Sequence, residues 1–165
     1  MTLVFMGVSG CGKTTLGKLV AEETGARFVE GDEFHPPENV EKMRSGEPLN
    51  DDDREGWLKA LAAEISAALD GPHLCVSCSA LKRKYRDLLR EGDPQALFVV
   101  MHGDRAILDN RVTNRSHEYM PASLLDSQLA TLEIPVKPER FLHVDIAESP
   151  TGQLQRVLKH LQAVA

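Results

Sequence analysis

Cysteine is scarce in this 165-residue chain, which carries only Cys11, Cys75 and Cys78. An odd, small number excludes the disulfide framework of a small secreted domain and suits reduced thiols in the cytoplasm. Cys75 and Cys78 have C-x-x-C spacing, but no second pair exists to complete a four-cysteine zinc site. They fall in a strand-like run, where residues three apart point to opposite faces, so buried structural thiols are expected. Long apolar runs are also missing. Nothing approaches the roughly 18 residues that a membrane span needs, so no membrane partner is expected. Excess basic charge is missing too: the formal net charge is −6, which argues against a nucleic-acid partner and leaves room only for a local basic pocket. The apolar residues 1–6 lack a charged leader and run straight into a glycine-rich segment, so they read as strand rather than signal peptide. No repeat, low-complexity tract or linker divides the chain. One cytoplasmic domain over 1–165, large enough to bury a continuous core, is expected.

What is present is an alternation of strand and helix signals, as in an α/β protein with a parallel sheet. Strand-like runs stand at 3–6, 27–30, 74–78, 97–101 and 141–145. Helical patterns are expected over 15–23, 82–91, 104–114 and 151–162, and over 54–69, where Leu58, Leu61, Ile65 and Leu69 recur at three- and four-residue spacing. Two segments break the alternation. Residues 31–54 are rich in Asp, Glu, Pro and Asn; residues 114–135 are crowded with polar residues. Long excursions of this kind are usually functional loops or lids. The first begins at a strand's carboxyl end, where ligands of open α/β sheets bind, and is the natural place for a second substrate.

Gly7-Val8-Ser9-Gly10-Cys11-Gly12-Lys13-Thr14 fits G-x-x-x-x-G-K-[ST], the phosphate-binding loop of nucleotide triphosphatases and related kinases. Small residues let the backbone curl so that successive N–H groups point at phosphate oxygens. Lys13 then reaches the β and γ oxygens, and the Thr14 hydroxyl can ligate Mg²⁺. The loop follows a strand-like run and precedes a helix whose positive N-terminal end, beginning near Thr15, faces the phosphates. ATP or GTP binding is the expectation.

The other candidates are weaker one by one. Glu30-Gly31-Asp32 follows the second strand and puts a carboxylate near the γ-phosphate end, where an acceptor hydroxyl needs a base or an orienting group. Asp51, Asp52 and Asp53 have no EF-hand spacing, and either Asp52 or Asp53 can cap the helix expected from Arg54, so capping and a solvated charge run outweigh direct metal binding. The third strand ends in Cys78-Ser79 with no acid, so a metal must lean on Thr14, phosphates, waters and Asp32. Lys82 and Arg86 are four residues apart and suit an anionic substrate, or are ordinary solvent-facing charges. Arg111 and Arg115 share that spacing; arginines on a closing flap can neutralise charge on a transferred phosphoryl group and exclude water. Trp57 reads as helix core rather than a ligand stack.

An ordered series of motifs resembles the gluconate kinase (gluconokinase) family of shikimate-kinase-like phosphate-loop kinases. Besides Gly7–Thr14, it comprises Gly31-Asp32-x-x-His35-Pro36, Asn39-x-x-Lys42-Met43, Asp51-Asp52-Asp53-Arg54-x-x-Trp57-Leu58, Cys78-Ser79-Ala80-Leu81-Lys82-x-x-Tyr85-Arg86 and Arg115-x-His117-x-x-Met120-Pro121. The resemblance implies an adenylate-kinase-like P-loop NTPase fold, with a five-stranded parallel sheet flanked by helices and a lid over 114–135. It implies transfer of the ATP γ-phosphoryl group to D-gluconate with Mg²⁺, in a cytoplasmic enzyme that is often a homodimer. On that basis Gly7, Val8, Ser9, Gly10, Cys11, Gly12, Lys13, Thr14, Thr15, Arg111 and Arg115 would bind the nucleotide, with Thr14 on the metal. Lys13, Asp32 and Arg115 would be catalytic, and Asp32, His35, Arg54, Lys82 and Arg86 would hold gluconate. The sequence departs from the family at Cys11, often Ser, and at Glu118-Tyr119, often His-Phe. Another kinase of this fold, such as a shikimate kinase, a nucleoside monophosphate kinase, or an ATP-binding sensor remain rivals; no N-K-x-D motif supports a GTPase-type switch.

Overall fold

The computed structural model describes the backbone of residues 1–114 and 123–165, with side chains over 1–112 and 124–165. Five parallel strands stand in the order β2-β3-β1-β4-β5: β1 Thr2–Met6, β2 Arg27–Glu30, β3 Leu74–Ser77, β4 Leu97–His102 and β5 Phe141–Asp145. All five residues of β1 and all four of β3 are buried. A central parallel strand is covered on both faces, which is why these segments read as continuous apolar runs rather than as alternation. The edge strands β2 and β5 are more exposed.

Helices of eight residues or more connect the strands, as α1 Lys13–Thr24, α2 Pro37–Arg44, α3 Asp51–Ala67, α4 Arg83–Arg90, α5 Arg105–Asn114 and α6 Ser123–Thr131, and α7 Pro150–Val164 follows the last strand. Right-handed crossovers put α1 on one face of the sheet, because β1 passes outward to β2. The same rule puts α3 and α4 on the other face, because the chain there runs back from β2 through β3 to β4. Accordingly α1 packs with α7, and α3 packs with α4. Leu58, Leu61 and Ile65 of α3 and Leu16 and Val20 of α1 join the strand residues in one core.

The five expected strands are all present, to within a residue at each end. Helix α3 starts three residues earlier than its periodicity indicated. Asn50 caps it: its side chain accepts from the Asp53 N–H at 2.8 Å, and the Asp53 carboxylate accepts from the Asn50 N–H at 2.9 Å. This capping box places Asp51, Asp52 and Asp53 in the first turn, where acids complement the helix dipole. The segment 31–54 is not a loop. It holds a 3-10 turn, Gly31–Phe34, and then α2. Only Asn39 and Met43 of α2 are buried, too thin a pattern to register as helical periodicity. Part of 114–135 is likewise helical, as α6.

Candidate active site

A cleft of about 990 Å³ opens beyond the carboxyl ends of the strands, where ligands of open parallel sheets bind. One end of it is the loop between β1 and α1. Gly12 occupies the N-cap of α1 with φ +94, a left-handed conformation that disfavours any side chain. The loop's backbone amides and the first turn of α1 thereby form an anion cradle. Lys13 lies along it, its ammonium donating to the carbonyls of Gly7 and Val8, each at 3.1 Å. The Ser9 N–H donates to Gln128 Oε1 at 2.6 Å, so α6 touches the loop. From α5, Arg111 donates to the carbonyls of Gly10 and Cys11 at 3.3 and 3.4 Å, and to that of Ile146 at 3.1 Å. Gly10, Cys11, Gly12, Thr15 and Arg111 all line the cleft. Gly7 and Val8 lie beneath it, and Cys11 is buried.

Thr14 Oγ1 donates to Glu30 Oε2 at 2.5 Å and lies 3.4 Å from Ser77 Oγ. A hydroxyl and a carboxylate in contact are hard oxygen donors. They fit Mg²⁺, which takes one or two protein ligands and fills its octahedron with phosphates and waters. Glu30, at the end of β2, is an acid in contact with Thr14, whereas the end of β3 carries none. Gly31 follows it where the chain passes the backbone of β3 so closely that a Cβ would lie 2.1 Å from the Ser77 carbonyl oxygen.

The other end of the cleft is made of side chains. Asp32 stands half-exposed in the 3-10 turn, and the His35 imidazole is buried behind it, Nε2 at 3.9 Å from Asp32 Oδ1. His35 stacks on Trp57 with ring centroids 3.9 Å apart. Trp57 in turn donates its indole N–H to the Gly31 carbonyl at 2.8 Å. Burial, helped by the charge of Arg54, pushes the His35 pKa down to about 4, so the ring is neutral at physiological pH. Trp57 is thus both core and wall, where the sequence indicated core alone.

Arg54 lines the cleft and donates to the Tyr85 hydroxyl at 2.8 Å. That hydroxyl donates to Asp51, which also accepts from Lys84 and, at 3.1 Å, from Lys82. Hydrogen bonds from Lys84, Tyr85 and Lys82 hold the Asp51 carboxyl far below the usual range. Lys82 is paired in this cluster and does not line the cleft. Arg86 corrects an expectation more firmly. It is 1% exposed, forms a two-pronged pair with Glu139 at 2.7 and 3.1 Å, and donates to the carbonyls of Ala80 and Leu81. Its work is internal, holding the turn after β3, where Ala80 takes φ +46. Burial would raise the Glu139 carboxyl, and the hydrogen bonds of Arg86 and Arg90 outweigh it, leaving its pKa lowered.

Arg115, His117, Glu118 and Tyr119 lie outside the described residues. Cys75 and Cys78 are buried free thiols whose pKa values burial pushes up to about 12. No group of three or more His, Cys, Asp or Glu among the described residues could by itself hold a metal ion. Sequence reasoning did not single out Gln128, Asn110 or Asn39 as site residues. The first two line the cleft from helices remote in sequence from the loop.

The shikimate kinase family model matches residues 9–138. A gluconokinase from Gluconobacter oxydans (strain 621H) is 44% identical over 162 residues, which cover 98% of this chain and 91% of that one. Among solved structures, a gluconokinase from Sinorhizobium meliloti 1021 superposes with a TM-score of 0.89 at 44% identity, covering 99% of this chain and 93% of that one. An unliganded sugar kinase from Janibacter sp. HTCC2649 gives a TM-score of 0.93 at 46% identity, covering 98% and 94% respectively.

Proposed function

The chain belongs to the gluconokinase family of shikimate-kinase-like phosphate-loop kinases, and on that premise we propose that its cleft transfers the γ-phosphoryl group of ATP to D-gluconate, giving 6-phospho-D-gluconate and ADP. The observation that carries this reading is a phosphate cradle and an uncommitted carboxylate, Asp32, opening on one cleft. The loop amides and the N-terminal end of α1 hold the α and β phosphates. Thr14, with Glu30 beside it, would hold Mg²⁺, which would supply charge neutralisation for the phosphates. Lys13 stabilises the negative charge spread over the equatorial oxygens of the transferred group.

Gluconate offers one carboxylate and a chain of hydroxyls. Arg54, with donors beyond the one spent on Tyr85, is the cation on the cleft wall suited to the carboxylate. Asp32 accepts the hydrogen bond of the terminal hydroxyl and aligns its oxygen for in-line attack. A new O–P bond forms as the bond from the γ-phosphorus to the bridging oxygen breaks; the hydroxyl proton passes to Asp32, and ADP leaves. Little covalent chemistry falls to the protein in such a transfer, so positioning and charge stabilisation account for the catalysis. We further read the protein as a cytoplasmic homodimer, a reading supported by its free thiols and its family; no helix among the described residues is long and apolar enough to cross a membrane.

The test is a coupled assay in which 6-phosphogluconate dehydrogenase reports product as NADPH. NADPH formation should require both ATP and D-gluconate and fall about a thousandfold or more in Lys13→Ala, and ADP release, followed separately, should be faster with D-gluconate than with shikimate or other sugar acids. Equal turnover of shikimate, or ATP consumption independent of any acceptor, would contradict the reading.

A further inference from the structure

The buried face of α2 carries one polar side chain, Asn39, which is 4% exposed and sits behind the acceptor end of the cleft without lining it. Its amide nitrogen lies 2.7 Å from the backbone carbonyl oxygen of Asp53 and 3.3 Å from His35 Nδ1. A backbone carbonyl only accepts, so the atom facing it must be the NH₂ group rather than the amide oxygen. That group has two hydrogens. One is given to Asp53, and the other is directed at His35 Nδ1, which must then be the unprotonated, accepting nitrogen of the ring. A neutral imidazole with a bare Nδ1 carries its proton on Nε2.

Nε2 is the nitrogen that faces Asp32, 3.9 Å from Oδ1. This separation is too long for a direct hydrogen bond. It is short enough for one hydroxyl oxygen to sit about 2.8 Å from each atom, accepting from His35 and donating to Asp32. A donor and an acceptor set side by side match a hydroxyl, which needs one of each. Stacking on Trp57 fixes the ring plane, and the indole is itself tied to the Gly31 carbonyl one residue before Asp32. The Asp53 carbonyl that holds Asn39 belongs to the capped first turn of α3, which also carries Arg54.

We propose that Asn39 is a positioning residue that locks His35 in its Nε2–H form, so that His35 and Asp32 together grip one acceptor hydroxyl, the first as donor and the second as acceptor. The lowered pKa of His35 is consistent with this, since a protonated ring would have no accepting Nδ1 for Asn39 to meet. The proposal rests on the phosphoryl-transfer reading for the identity of the hydroxyl, but the tautomer itself does not depend on that reading.

Long-range ¹H–¹⁵N correlation spectra of the histidine side chains in the full chain give the tautomer directly, with His35→Gln identifying the signal that belongs to His35. The expected pattern at neutral pH is protonated Nε2 and bare Nδ1. In Asn39→Asp the new carboxylate accepts from the ring, so the proton should move to Nδ1 and leave Nε2 without a donor. Steady-state kinetics of that variant should show kcat/KM for gluconate down about tenfold to a hundredfold, with KM for ATP within about threefold of the parent value. A His35 ring protonated on Nδ1 in the unaltered protein would overturn the proposal whether or not any variant folds. So would a tautomer switch in Asn39→Asp that leaves gluconate kinetics unchanged, or a loss shared equally between gluconate and ATP, which a merely structural role would give. Absence of gluconate-dependent turnover in the unaltered protein would instead overturn the parent reading, and with it the role but not the tautomer.

Discussion

The two ends of the cleft are built from different material. The nucleotide end is a contiguous stretch of backbone, Gly7 to Thr14, shaped by glycines and completed by one lysine and one hydroxyl. The proposed acceptor end is a set of side chains from separate segments: Asp32 and His35 from the turn after β2, Asn39 from α2, and Arg54 and Trp57 from α3. Backbone amides can serve any nucleotide phosphate, because every residue but proline has an N–H to donate. Recognising a particular polyol needs donors and acceptors in a fixed pattern, and only side chains locked by their neighbours supply that. The difference teaches where specificity and fragility lie: the acceptor end depends on supports that never touch a ligand.

Perturbing those supports should therefore separate the two ends. The largest effect is expected at the buried pair beneath the turn after β3. Glu139→Gln leaves the Arg86 guanidinium without its counter-charge in a site where Glu139 is 8% exposed, and should cost about 3–5 kcal/mol of unfolding free energy. Urea denaturation checks it; a loss below about 1 kcal/mol would show that the pair is dispensable.

Acid should act next, through His35. The ring titrates near its ordinary value of 6.5 in the unfolded chain and at about 4 in the folded one, so between those values the unfolded state binds more protons. Stability is full above the unfolded value and is lost as pH falls from 6.5 through about 4. At pH 5 the loss through this one residue should be about 2 kcal/mol relative to neutral pH. Comparing the pH dependence of unfolding with that of His35→Gln isolates it, and identical profiles would contradict the burial of a neutral ring.

Smallest is the capping box of α3. Asp53→Ala removes the carboxylate that accepts from the Asn50 N–H and pairs with Lys42 at 2.7 Å. It should cost about 1 kcal/mol of stability. Because Asp53 lies in the turn that carries Arg54, KM for gluconate should rise while KM for ATP holds; a change in KM for ATP alone would break the comparison.

The same contrast explains what the sequence discloses. The sheet was legible because its buried strands are continuous apolar runs, and the phosphate loop because its residues are consecutive. Helices α2 and α6 were not, since α2 buries only Asn39 and Met43 and its remaining surface is polar. Arg54 and Arg86 are both sequence candidates for holding the gluconate carboxylate. What separates them is Glu139, 53 residues beyond Arg86 and visible as its partner only once β5 is in place. Lys82 is diverted in the same way by Asp51, 31 residues earlier. Glu30 could be read as one of two acids at a strand end, but its contact with Thr14 follows from the tight passage of Gly31 past β3, which no spacing rule conveys.

The most direct test of the central claim, that the cleft joins a backbone-built nucleotide cradle to a separately built acceptor site, is the steady-state kinetics of Asp32→Asn with both substrates varied. If Asp32 acts on the acceptor hydroxyl alone, as proposed, kcat should fall about a hundredfold or more, with KM for ATP within about threefold of the parent value. Comparable losses for ATP and gluconate, or a turnover number that does not change, would contradict it.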